Sequence, residues 1–231
     1  MLTLLGLKRE LKAKASPKKA KVLKRFFKTG KGEYGQGDVF LGVVVPEIRK
    51  TAKKYNTLKL KDAVKLLHSK IHEERLAALL ILVEKFQADE EKEAVYKIYL
   101  KNTKYINNWD LVDLSADKII GEYLFDKSKD ILYKLAKSKN IWERRIAIMA
   151  TFDFIKKDKF GETLKIAKML LPDTHDLIHK AVGWMLREVG KRNLKVEEGF
   201  LKKYFQKMAR IALRYAIEKF PEKKRKRYLS G

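Results

Sequence analysis

Apolar residues recur three or four positions apart along nearly the whole chain, the spacing that buries one face of an α-helix. Strand-like alternation is almost missing. The pattern predicts helices over 2–14, 17–28, 46–55, 61–68, 72–86, 89–101, 109–123, 127–136, 142–156, 161–171, 174–190 and 196–220, the last with a break near Gln206. Ser16 is placed to cap the second helix, with Pro17 at its first position. A glycine-rich stretch, Lys31–Asp38, separates the first two helices from the rest. The run Val39–Val45 is β-like, yet no partner strand follows, so it is predicted as a buried extended linker. The fold class predicted is all-α.

The helices also repeat. Glu73-Glu-Arg-Leu-Ala-Ala-Leu79 matches Glu143-Arg-Arg-Ile-Ala-Ile-Met149 at an offset of 70, and a further shift of 36 aligns Ile146–Met149 with Val182–Met185. The helix beginning at Trp109 falls one step after His72 and one step before Trp142. A period in the mid-thirties built of paired helices predicts a HEAT-like α-α superhelix, a curved solenoid of about six helix pairs. One domain over residues 1–231 is expected, and its concave face is the expected binding surface.

Composition narrows the class. Hydrophobic residues make up 45% and charged residues 36%, enough for a core and unlike a disordered polycation. The absence of cysteine excludes disulfide scaffolds, thiolate metal sites and cysteine catalysis. No apolar run reaches the roughly 18 residues that span a bilayer, and Met1–Leu7 is too short and wrongly flanked for a signal peptide. A soluble cytoplasmic protein is expected.

Charge then points to a partner. The net charge is +25, carried by 16 basic and 4 acidic residues in 1–60 and by 23 and 11 in 141–231, while 61–140 holds 15 and 14. Two basic flanks around a nearly neutral middle suit a polyanion, and DNA or RNA fits best.

The candidate chemistry sits on the repeated helices. Trp109 and Asp113 lie four apart, on one helix face near its first turn. Asp113 reads either as a functional carboxylate or as a solvated first-turn acid like Asp110 and Asp117. Arg144 and Arg145 open an otherwise apolar helix, as phosphate contacts or as ion-pair partners of the neighbouring repeat. Gly183, beside Trp184, predicts a close backbone approach in mid-helix, and Lys180 and Arg187 lie on the same helix. His175 and His179 have zinc-helix spacing without the Glu or third ligand a zinc site needs, so no metal is expected. Segment 32–38 lacks the Lys-Ser/Thr of a P-loop. The run Lys223–Arg227 is read as a solvated basic end.

The segments Trp109-Asp-Leu-Val-Asp113, Trp142-Glu-Arg-Arg-Ile-Ala147, Lys180-Ala-Val-Gly-Trp-Met-Leu-Arg-Glu188 and Phe40–Arg49 together resemble the AlkD-like DNA alkylation repair glycosylases, over about residues 20–220. The resemblance implies a HEAT-like solenoid that holds duplex DNA in its groove and removes N3- and N7-alkylated purines without flipping the base. It implies Asp113 as the catalytic carboxylate, Trp109 and Trp184 as aromatic walls on the lesion nucleotide, and Arg145 as a DNA contact. Arg144, Lys180 and Arg187 are expected beside them as further DNA contacts. Val44 stands where some members carry Gln, which removes one polar contact. The expected protein is a monomeric, cofactor-free glycosylase acting on double-stranded DNA with alkylated bases. The alternatives are a non-catalytic HEAT-like nucleic-acid binder and a HEAT-like protein scaffold.

Overall fold

The computed structural model describes residues 2–89 and 91–230. The chain is all-α, with no strand among the described residues, and it divides into two compact units, Met1–Ser115 and Ala116–Gly231. Each has its own buried core.

The first unit contains α1 (Leu4–Ala13), α2 (Pro17–Phe26), α3 (Val45–Lys54), α4 (Leu60–Leu67), α5 (His72–Gln87), α6 (Lys92–Lys101) and α7 (Trp109–Asp113). Caps explain the first boundaries: the Thr3 side chain accepts from Gly6 N, and Ser16 accepts from Lys19 N ahead of Pro17. Helix α5 is the central element, with Leu76–Val83 all buried and α3, α4 and α6 packed around it. A helix apolar on every side has to be enclosed, as its sequence predicts. Helix α6 begins at Lys92, later than the expected Asp89, and Glu90 lies outside the described residues.

The segment between α2 and α3 is only partly the buried linker expected. Phe40 and Val43 are buried, whereas Val39, Val44 and Val45 are exposed, and Val45 already belongs to α3. Val39 pairs with Ile71 in an isolated parallel bridge. The Glu73 carboxylate accepts from the backbone N–H groups of Leu41, Gly42 and Val43 at 3.0, 2.8 and 3.3 Å, which ties this segment to the first turn of α5. Gly42 has φ +85° and would place a Cβ 2.2 Å from the Ser16 carbonyl oxygen, so only glycine fits there.

The second unit contains α8 (Glu122–Leu124), α9 (Asp130–Ala136), α10 (Ile141–Lys156), α11 (Gly161–Met169), α12 (Asp176–Arg192), α13 (Leu194–Tyr204), α14 (Arg210–Ala216) and α15 (Glu222–Ser230). Helix α10 packs against α9, α11 and α12, and α12 against α13 and α14. The close approach expected at Gly183 is present: a Cβ there would stand 2.3 Å from the Ala212 carbonyl oxygen of α14. The break expected near Gln206 is present too, as a 3-10 turn over Phe205–Lys207. The basic end is not loose chain. It forms α15, held by Tyr228 against Phe205 and Phe220 and by a Lys224–Glu198 ion pair.

The largest departure concerns 109–123, expected as one helix. Helix α7 stops after five residues, Leu114 and Ser115 form a turn, and the chain resumes as a π-helical turn over Asp117–Gly121 before α8. Ser115 is fully buried, and its hydroxyl bonds the Leu111 carbonyl at 2.6 Å and the Tyr99 hydroxyl at 3.0 Å. A serine bonded back to the preceding turn competes with helix continuation. Among the described residues no helix is long and apolar enough to cross a membrane.

Candidate functional site

In the first unit the site is built around α7. Asn108, fully buried, caps it by accepting from Trp109 N at 2.8 Å. Trp109 and Asp113, one turn apart, are both partly exposed, while Leu111 and Val112 face inward and are buried. The expected pairing of Trp109 and Asp113 on one face of a first turn is therefore realised locally. The Trp109 indole is stacked on Phe27 at 5.2 Å and meets Phe26 edge-on at 5.8 Å. Phe27 stacks in turn on Phe40 at 5.1 Å, and Phe40 on His72 at 4.5 Å. The partly exposed indole is thus the outer end of a column of rings.

The inner end is charged. His72 is bonded through Nδ1 to Asp38 at 3.0 Å and through Nε2 to Asp110 at 2.8 Å, and all three residues are buried. Arg75 donates to the other oxygen of Asp38 at 2.6 Å and to the Ser69 carbonyl at 3.0 Å. Asp110 also accepts from Leu111 N at 2.9 Å, so both its oxygens are engaged. Carboxylates only accept, so both imidazole nitrogens must carry protons. Burial by itself would lower the His72 pKa, but the charge and hydrogen bonds of Asp110 and Asp38 outweigh it and raise the pKa to about 9. Burial likewise opposes ionisation of Asp38, and the hydrogen bond from His72 and the charge of Arg75 overcome it and hold its pKa below the usual value.

Asp110 is therefore not the solvated first-turn acid that the sequence suggested. Asp117 differs as well: it is buried and paired with Lys156 at 2.6 Å. Sequence reasoning missed the network because Asp38 and Asp110 lie 34 and 38 residues from His72, and no local spacing connects them.

In the second unit, Trp184 is partly exposed and donates from Nε1 to Glu188 at 3.0 Å. Arg187 pairs with Glu218 and with Glu188, and Lys180 is partly exposed. Arg144 donates Nε to Asp173 at 2.5 Å and Nη1 to the carbonyls of Ser138 and Lys139, both at 3.0 Å. This ion pair, to an acid in the segment between α11 and α12, is one of the two readings of its position. Arg145 is 5% exposed and donates to the Leu177 carbonyl at 2.5 Å. His175 caps α12 by accepting from Leu177 N at 3.1 Å, and His179 Nε2 lies 2.5 Å from the Asp173 carbonyl oxygen. Both histidines thus serve helix-end geometry. Among the described residues no group of three His, Asp or Glu could hold a metal ion.

The fold and sequence can be set beside known proteins. The sequence pattern of the family described as DNA alkylation repair enzyme matches residues 7–220. No curated protein matches the chain. A solved structure from Enterococcus faecalis, described as a predicted DNA alkylation repair enzyme, is similar with a TM-score of 0.72 and 20% identity, covering 90% of this chain and 98% of that one. The crystal structure of AlkD2 from Streptococcus mutans is similar with a TM-score of 0.60 and 17% identity, covering 94% and 99% respectively. At these identities the two structures share the fold. The match over residues 7–220 carries the further conclusion: the chain belongs to the DNA alkylation repair enzyme family.

Proposed function

We propose that this protein is a DNA N-glycosylase that releases N3- and N7-alkylated purines from duplex DNA, with Asp113 as the catalytic carboxylate. The observation that carries the reading is local: Trp109 and Asp113 occupy one face of a short capped helix, both partly exposed, with the indole held flat on Phe27. Alkylation at N3 or N7 makes the purine a cation, so its N-glycosidic bond needs neither a general acid nor a cofactor to weaken it. The charge that develops is on the sugar. A fixed carboxylate facing that oxocarbenium-like centre stabilises it, as in glycoside hydrolysis, and an aromatic face beside it suits the partly positive sugar edge.

On this reading both units act as one DNA-binding domain, with Trp184, Lys180 and Arg187 of α12 and Arg144 and Arg145 of α10 as its further DNA contacts. Arg145, the most enclosed of these, contributes as a positive charge held in place. Each unit is basic on its own, with 25 basic and 14 acidic residues in 1–115 and 29 and 15 in 116–231. Contacts to about 6–10 phosphates predict that affinity for duplex DNA falls roughly 10³–10⁵-fold between 50 and 200 mM salt.

The test is release of 3-methyladenine and 7-methylguanine from methylated duplex DNA by the full chain. Free alkylated base with intact unmodified purines is the expected result. Tight, salt-sensitive binding without any base release would establish a non-catalytic binder instead.

A further inference from the structure

Helix α7 carries the proposed carboxylate, yet at five residues it is far below the length at which a helix holds itself in water. Its direction must come from what it is bonded to. Two anchors are side chains of its own segment: Ser115, locked to Tyr99 behind it, and Asp110, locked to His72 in front. Asp110 stands next to Trp109, and both of its oxygens are used, one on the backbone of α7 and one on His72. The imidazolium continues the link to Asp38, the last residue of the glycine-rich segment, which Arg75 and Asn107 also bond. The same imidazole closes the ring column that ends in Trp109.

A buried charge cluster is a poor way to obtain stability, because well-packed apolar residues of similar volume do as well or better. What it supplies here is geometry, since Asp38 and Asp110 are each held by donors from more than one segment. The second unit offers a control. Helix α10 also starts behind an asparagine cap and carries a tryptophan in its first turn, but it runs 16 residues and its Trp142 is buried. The charged bridge accompanies the short helix with the partly exposed tryptophan.

We propose that the Asp38–His72–Asp110 bridge, braced by Arg75, is a positioning device that fixes the plane of Trp109 and the direction of α7, and through α7 the aim of Asp113. His72, Asp38 and Asp110 are positioning residues and do not touch the substrate. The proposal rests on the glycosylase reading for its effect on rate, but its structural half can be read without any activity.

The experiment uses the full chain labelled with ¹⁵N, whose three indole N–H signals belong to Trp109, Trp142 and Trp184, with Trp109→Phe assigning the first. His72→Gln and Asp110→Ala are expected to shift and broaden the Trp109 signal while those of Trp142 and Trp184 stay in place. Asp110→Asn, whose single acceptor oxygen can keep the bond from His72 but not also the one from Leu111 N, should disturb the Trp109 signal less than Asp110→Ala. In single-turnover excision of 3-methyladenine, His72→Gln and Asp110→Ala should lose about 10–100-fold in rate, with duplex-DNA affinity held within about 3-fold, as expected for a catalytic group displaced by a fraction of an ångström. Because His72→Gln leaves Asp110 buried without its cation while Asp38 keeps Arg75, the double variant His72→Gln/Asp110→Asn removes one charge of each sign and provides the same readout if the single one does not fold. An unchanged Trp109 signal in folded variants overturns the proposal, and so does an equal disturbance of all three indoles. If the wild type excises nothing, the glycosylase reading fails while the indole signals still decide whether the bridge positions Trp109.

Discussion

The stretch from Trp109 to Leu124 and helix α10, Ile141–Lys156, are the same length and start alike. Each follows an asparagine whose side chain caps the first turn, and each has a tryptophan at its beginning. Helix α10 runs unbroken, and Trp142 is 6% exposed. The other stretch breaks after Asp113, passes through the Leu114–Ser115 turn and continues as a π turn, and its Trp109 remains partly exposed. Equivalent apolar spacing thus yields a core helix in one place and a short, externally braced one in the other. The difference lies in a few polar and small residues, Asp110, Ser115 and Gly121, of which Asp110 lies on α7 itself and Ser115 just beyond its end.

The largest stability effect expected is at Gly121. A Cβ there would stand 2.2 Å from the Ala150 carbonyl oxygen of α10, and backbone cannot retreat as a flexible side chain can. Gly121→Ala should cost about 3 kcal/mol or more by urea unfolding. Gly183→Ala, against the Ala212 carbonyl at 2.3 Å in an unbroken helix, should cost a similar amount. Gly161→Ala, with nothing within 4 Å, should stay within about 0.5 kcal/mol. A mild Gly121→Ala would show that the π turn is loosely packed and undo the comparison.

Next comes pH. The His72 pKa is raised from 6.5 to about 9, so its contribution is complete below pH 6.5 and is lost as pH rises through 9, on the order of 3 kcal/mol. In the second unit Glu197 is raised from 4.5 to about 8 because burial outweighs the pull of Lys224 and Arg187. Its proton is favoured in the fold, so its contribution is also complete at low pH, below 4.5, and lost as pH rises through 8. Unfolding midpoints should therefore decline from pH 6 to 9.5, and Glu197→Gln should flatten the part of that decline below pH 8. A midpoint that rises over this range would contradict both assignments.

Smaller effects separate the two tryptophan helices. Ser115→Ala removes the buried bond between Ser115 and the Tyr99 hydroxyl and should cost about 1–2 kcal/mol. Asn140→Ala removes an ordinary helix cap from α10 and should cost about 1 kcal/mol. If Ser115→Ala were neutral in unfolding, its hydroxyl would not be what ends α7.

Most helices were legible because apolar spacing is a local signal, and so was the close approach at Gly183, since a mid-helix glycine has few other uses. The break at Leu114–Ser115 was not legible, because Leu111, Val112, Ile119 and Ile120 keep the helical pattern across it and the competing bond depends on Tyr99. Helix α15 was hidden by its charge: Lys223–Arg227 reads as solvated chain until Tyr228 finds Phe205 and Phe220. In the site, Trp109 and Asp113 could be paired from their spacing alone. The charged bridge could not, since it joins three segments that are distant in sequence.

The central claim is that the Asp113 carboxylate stabilises positive charge on the sugar. Single-turnover release of 3-methyladenine from one defined duplex, by wild type and by Asp113→Asn, tests it most directly, because the substitution keeps shape and removes only the charge. The account predicts that Asp113→Asn binds the duplex as the wild type does and excises about 10²–10³-fold more slowly. Excision by Asp113→Asn at the wild-type rate would contradict it and leave this carboxylate a structural role only.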